Sequence, residues 1–473
     1  MRQVLPAPIG VRFALSLLLA SASICGCAGA PLASSPSVAS KDDRAHDAPS
    51  PQPKTAQSEP VANDEAQLID AMLPRVSHAR GIKPTHAVPG KVLDRVKLVQ
   101  RVREHVAREI PTEAIRNEGL ALQLLGFVPT RFDYEQAEYS LLEEQLAGYY
   151  EPSDKTMYLA AELKHAEAEA TLAHELVHAL QDMRWDLGAR SAYRPGESDR
   201  GLATSALAEG DATSAMFDVM IQAVYPDADA LDQSDEAYAE KIREGVAEGP
   251  GGQFPEVMRT SLAAPYLYGM TFVQTLRRRG GWAEVDRVWD NPPSTTEQIL
   301  HMDKLDAREP AIAIAAPPYA SLGAGWVVAD TDTYGELGML LTLEPWMGDA
   351  AASQAAAGWG GDRAILVRRG DDAALGWHVR YDVGRAVPDE LAKRAFYGLT
   401  RALEARLGPA TVKDVTSFVC LERKDRGPLA VGKSGRDLAF VAGPSHAAGA
   451  EWTSAGDCAL AKKWVTEMLS AQP

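Results

Sequence analysis

His174-Glu175-Leu176-Val177-His178 is the stretch on which the reading of this 473-residue chain turns. Residues four apart on a helix lie one turn above each other, so both imidazoles project from one face. Leu172, Leu176, Ala179 and Leu180 add apolar positions at helical spacing, with no proline or glycine between them. The pattern predicts a buried helix from about Glu162 to Trp185. Two neutral imidazoles on such a face reach a single Zn²⁺ at about 2.0–2.1 Å. Glu175 lies at the edge of that face, where it can take a proton from an attacking water without ligating the metal.

A catalytic zinc needs a third protein ligand and an open fourth position. The next helix, predicted over about Gly201 to Ala223, carries Leu207-Ala208-Glu209-Gly210-Asp211-Ala212-Thr213. Ala206, Ala208, Gly210 and Ala212 flank the one carboxylate with small side chains, which lets another helix come close. His174, His178 and Glu209 are therefore the expected ligands, and Glu175 the expected catalytic base. A ligating histidine donates its other ring proton to a carboxylate or carbonyl. Asp182, one turn beyond His178, and Asp211 or Thr213, beside Glu209, are the candidates for that supporting shell. Charge developing on a substrate oxygen also needs a donor. His301, Tyr266 and Tyr268 are the candidates for it.

Outward from this site the chain reads as α+β. Before it, Val92, Val96, Val99, Val102, Val106 and Ile110 recur at helical spacing, and helices follow from Glu113 to Leu125 and from Tyr134 to Leu146. Gly148 to Leu159 reads as a hairpin around Pro152-Ser153-Asp154-Lys155. After the site, Pro265 to Arg279 reads as a helix stopped by Gly280-Gly281, with Arg277, Arg278 and Arg279 at a solvated end. From about residue 310 the pattern turns to strand-like runs, among them Ala364 to Val367, Trp377 to Tyr381 and Leu438 to Val441. Helices at Pro388 to Leu407 and Ala459 to Leu469 accompany them. Trp359 to Asp362 reads as a tight turn with a packed indole. The expected division is 65–309 for the unit holding the site and 310–473 for a smaller α+β unit.

The N-terminal end reads differently. Arg2 and Arg12 flank an apolar stretch from Phe13 that ends in Ile24-Cys25-Gly26-Cys27, which resembles the lipobox of bacterial lipoproteins. That implies a signal peptide over 1–26, lipidation of Cys27 and a membrane-anchored protein of the cell envelope. The alternative is secretion without lipid. Residues 27–64, rich in Ala, Ser and Pro, read as a disordered tether. In such an oxidising compartment Cys420 and Cys458 are expected to form a disulfide, the alternative being two buried thiols. The formal charge of −17 argues against a nucleic-acid partner.

The helix His174 to His178 followed by Ala208-Glu209-Gly210-Asp211-Ala212-Thr213 resembles the gluzincin metallopeptidases. More narrowly, the chain resembles a group of secreted or lipid-anchored bacterial metallopeptidases of little-studied function. It shares with them Gly148-Tyr149-Tyr150-Glu151-Pro152, the continuation His178-Ala179-Leu180-Gln181-Asp182, the segment Pro292 to His301 and the stretch Ala357 to Asp362. The resemblance implies a zincin-like catalytic unit, largely helical with a small sheet, holding Zn²⁺ and acting on a peptide or protein; endopeptidase is favoured over aminopeptidase, since the chain has no Gly-Ala-Met-Glu-Asn-like motif to hold a free amine. It also implies that substrate lies as an added strand beside a sheet edge, for which Thr156 to Ala160 is the candidate; the alternative is a strand buried within the sheet. Two other readings stay open: an envelope binding or assembly lipoprotein with a structural zinc site, and a zinc amidohydrolase acting on a non-protein substrate.

Overall fold

A computed structural model describes residues 62–163, 165–248, 252–447 and 451–471. Over these the chain is α+β, with a helical N-terminal part around a small sheet and a C-terminal part built on a large one. The expected signal peptide, Cys25, Cys27 and the tether up to residue 61 lie outside the described residues. Among the described residues no helix is long and apolar enough to cross a membrane.

Helix α1 spans Ala62–Arg80 and β1 spans Gly90–Leu93, with α2 following at Arg95–Glu109. The periodicity that placed Val92 in a helix is broken by Asp94. Its carboxylate accepts from the Lys97 amide at 2.9 Å and caps α2, leaving Val92 in a strand. Helices α3 (Thr112–Leu125) and α4 (Tyr134–Gln145) lead into the hairpin of β2 (Gly148–Glu151) and β3 (Thr156–Ala160). Strand β3 is central: it pairs antiparallel with β2 and parallel with β1. Thr156 to Ala160 is thus a buried middle strand, not the edge, because β1 fills the side that the sequence left open. The edge strands are β1 and β2.

The sheet buries both faces, and alternation along the strands decides which residue goes where. Tyr150, Met157 and Leu159 pack against Leu172 and Leu176 of α5 (His165–Trp185). Tyr149, Tyr158 and Ala160 pack on the opposite face against Leu98, Val102 and Val106 of α2.

After the short α6 (Leu187–Ser191), α7 (Ser198–Gln222) runs beside α5, and α8 (Asp235–Glu248) leads to α9 (Glu256–Asp290). Helices α7 and α9 cross with their backbones in contact: a Cβ on Gly210 would collide with the Gly269 carbonyl, and one on Gly269 with that of Ala206. Helix α9 starts earlier than expected, with Pro265 inside it, and resumes after a break at Gly280 and Gly281. Arg277 is not solvated; it is buried and bonds Ser214 at 2.7 Å and Asp218 at 2.8 Å.

The short helices α10 (Glu297–Leu300) and α11 (Met302–Ala307) close the N-terminal part, and residues 309–319 carry no helix or strand. The C-terminal sheet is eight-stranded and antiparallel. It begins with β4 (Val327–Asp332), followed by α12 (Gly335–Met347), α13 (Asp349–Ala356) and β5 (Trp359–Arg369). Trp359 to Asp362 is therefore the start of a strand and not a turn. Buried Asp362 accepts from the Trp359 and Trp377 indoles at 2.9 and 2.8 Å and from the amides of Tyr334 and Gly335 at 3.0 Å, anchoring the start of α12. Cys420 and Cys458 form the expected disulfide.

The two parts share a core. Ala121, Leu124, Leu202 and Ala264 from the first pack with Leu337, Leu340 and Trp377 from the second. A polar junction fastens the start of α7. The Ser198 amide donates to Asp332 Oδ1 at 3.1 Å and the Asp199 amide to the Thr333 carbonyl at 2.9 Å. Asp199 in turn accepts from the amide and hydroxyl of Thr296 at 2.7 and 2.6 Å. Arg363 reaches back to the Gly196 carbonyl at 2.9 Å.

Candidate metal centre

Helix α5 puts His174 and His178 on one face, and α7 brings Glu209 opposite them. His174 Nε2 lies 3.1 Å from both His178 Nε2 and Glu209 Oε2, and His178 Nε2 lies 3.5 Å from the same oxygen. All three residues are buried. The three ligand atoms lie within 4.8 Å of one another, and the group could hold a metal ion. Burial disfavours charge on His178, but the Glu209 carboxylate outweighs it and holds the imidazole up to about 9. Glu209 is likewise opposed by burial, yet the two imidazoles hold it down to about 2. The trio thus favours a proton shared between imidazole and carboxylate, which a divalent cation held there would have to displace.

Two buried carboxylate oxygens, Glu209 Oε1 and Glu175 Oε1, have no hydrogen-bond partner. The other oxygen of Glu175 accepts from the Tyr150 amide at 2.7 Å, on edge strand β2. A cavity of about 360 Å³ opens beside this pair, lined by Glu175 and His178 at one end and by His105, Glu109 and Ile110 at the other.

The supporting shell differs from the expected one. His178 Nδ1 pairs with Gln181 Oε1 at 2.9 Å, and Gln181 Nε2 donates to the Ala208 carbonyl at 3.0 Å, so one amide ties the ligand histidine to the residue before Glu209. Gln181 lies three residues past His178, a spacing that shares its helix face, and its neighbour Asp182 drew the attention. Asp182 instead accepts from the Tyr150 hydroxyl at 2.9 Å and from Lys155 at 2.6 Å. Asp211 accepts from Arg80 at 3.0 Å and from the Trp289 indole at 2.8 Å, because its side chain leaves α7 toward α1 and α9. The buried Thr213 hydroxyl has no hydrogen-bond partner. His301 caps the start of α11 and bonds Glu336 at 2.8 Å; it does not line the cavity. Of the two tyrosines considered, Tyr266 comes to the centre, its ring stacked on that of His174 at 6.0 Å. Tyr268 packs between the two core clusters.

Residues 326–453 match a family model described as a domain of unknown function (DUF8575). The match covers the C-terminal sheet and excludes every residue of the metal centre. No curated protein and no solved structure matches the chain.

Proposed function

We propose that the protein is a zinc-dependent hydrolase, an endopeptidase of gluzincin type with a zincin-like catalytic unit. The observation that carries this reading is the convergence of His174, His178 and Glu209 beside a cavity that Glu175 also lines. Two imidazole nitrogens and one carboxylate oxygen are the donor set of a catalytic zinc, and the partnerless Glu209 Oε1 leaves that carboxylate free to shift onto an ion. Zinc, when bound there, supplies Lewis acidity that polarises a carbonyl and acidifies a water.

The chain's own part follows from the hydrogen bonds. The Tyr150 amide holds Glu175 by Oε2, which leaves Oε1 to take the proton of the attacking water and later return it to the leaving amine. Gln181 holds the His178 ring in one tautomer, with its proton on Nδ1 and its Nε2 lone pair toward the ligand cluster. Tyr266 packs on His174 but, like Tyr268 and His301, does not line the cavity, so none of the three is assigned as donor to the developing oxyanion. The placement of β2 at the sheet edge, beside the base, supports an extended peptide as substrate over a non-protein amide. A structural zinc site in a binding lipoprotein is disfavoured by the same partnerless Glu175 oxygen, which such a site has no use for. With the leader and Cys27, the reading becomes a lipid-anchored enzyme of the bacterial envelope.

The test pairs wild type with Glu175→Gln in metal analysis and peptide cleavage. Both are expected to bind about one zinc, and the variant to cleave about 10²–10⁴-fold more slowly. Equal cleavage removes Glu175 as base; an empty protein after zinc supplementation removes the whole reading.

A further inference from the structure

Residues from both faces of the small sheet line the cavity beside edge strand β2. Tyr150 points to the α5 face, where its hydroxyl meets Asp182, and Glu175 and His178 line the cavity there. Glu151, the next residue, points to the α2 face, where its carboxylate bonds His105 Nδ1 at 2.8 Å and the Ser153 hydroxyl at 2.7 Å. His105, Glu109 and Ile110 line the cavity on that side.

An extended chain laid along this edge sends alternate side chains to the two faces. When one residue faces the metal centre, its neighbours face the wall formed by His105, Glu151 and Glu109. We propose that this wall is a side-chain subsite that selects a basic residue, lysine or arginine, next to the residue presented to the metal centre. The inference rests on the peptidase reading above.

Charge decides the class. Glu109 is exposed and has no ion-pair partner among the described residues. Glu151 is buried, which works against ionisation, but the bonds from His105 and Ser153 hold its carboxyl down to about 2; it is already flanked by His105 at 2.8 Å and Arg108 at 4.0 Å, so the unmatched charge of the wall is that of Glu109. With Asp186 and Glu175 the cavity lining holds four carboxylates. The lining lysine, Lys155, is already matched by Asp182 at 2.6 Å.

The test is cleavage-site profiling of the zinc-loaded protein on a peptide library, for wild type, Glu109→Gln, Glu109→Lys and His105→Gln. Wild type is expected to enrich lysine and arginine at one position adjoining the scissile bond by about fivefold. Glu109→Gln is expected to reduce that enrichment, Glu109→Lys to turn it toward acidic residues, and His105→Gln to raise KM with little change in kcat. An identical residue preference in all four proteins overturns the subsite and leaves the peptidase reading standing. If wild type cleaves no peptide, the peptidase reading fails, and equilibrium binding of lysine-rich and glutamate-rich decapeptides decides the subsite separately. A preference for the basic peptide that Glu109→Lys reverses supports it, and equal binding of the two overturns it.

Discussion

The backbone amide of Tyr150 donates to Glu175 at 2.7 Å while the hydroxyl of the same residue donates to Asp182 at 2.9 Å. One residue of the edge strand is thereby held twice by the helix that carries the base. Tyr150→Phe keeps the amide contact and removes the anchor. Stability is expected to drop by about 1 kcal/mol, and kcat by about tenfold through loss of alignment. Zinc content is expected to stay the same. Denaturant titration, steady-state kinetics and metal analysis check the three parts.

Gln181 and Asp182 make opposite predictions. Gln181→Ala removes the partner of His178 Nδ1 and is expected to weaken zinc binding by about 10–100-fold. Asp182→Asn leaves the ligand histidines untouched and is expected to change affinity by less than about threefold, because no contact joins it to them. Competition with a chromogenic chelator measures both, and the reverse order would return Asp182 to the supporting shell.

Gly210 and Gly269 are the crossing point of the helix bearing Glu209 and the helix bearing Tyr266. Either one changed to alanine forces backbone apart from backbone, with an expected loss of about 3 kcal/mol and weaker metal binding. Gly201→Ala, on the same helix but with open space around it, is the control and is expected to be neutral or slightly stabilising. Thermal unfolding with and without zinc separates the cases.

The junction predicts an unusual pH dependence. Burial pushes Asp199, Asp332 and Glu297 each up to about 7. Their folded values exceed the ordinary carboxyl value of about 4. Their stabilising contribution is therefore complete below about pH 4 and is lost as pH rises through about 7. The denaturation midpoint is expected to fall from about pH 5 to about pH 8, and Asp332→Asn to flatten that fall. A midpoint that rises over the interval would contradict the assignment.

The convergence of His174, His178 and Glu209 was legible because its information is local. His174, Glu175 and His178 lie within one helical turn, and the small residues around Glu209 announce a helix crossing before any partner is known. The α+β class and most helices followed from periodicity in the same way. What escaped depends on contacts between distant segments. Val92 carries helical spacing, yet one capping aspartate turns it into a strand, and that strand makes Thr156 to Ala160 central. Asp182 and Asp211 have plausible positions along their helices, but Tyr150, Arg80 and Trp289, all remote in sequence, decide where those carboxylates go. His301 likewise answers to Glu336, which nothing near it in the chain reveals.

The fastening of α7 has a consequence for the order in which the protein becomes competent. The amides of Ser198 and Asp199 find their acceptors only at Asp332 and Thr333, more than a hundred residues later in synthesis or export. Until that stretch has emerged, the helix presenting Glu209 has a loose start and the three ligands lack a fixed frame. A chain ending before β4 would thus carry His174, His178 and Glu209 and still lack the frame that brings them together. Such timing would keep the proposed activity silent until the C-terminal sheet has been made.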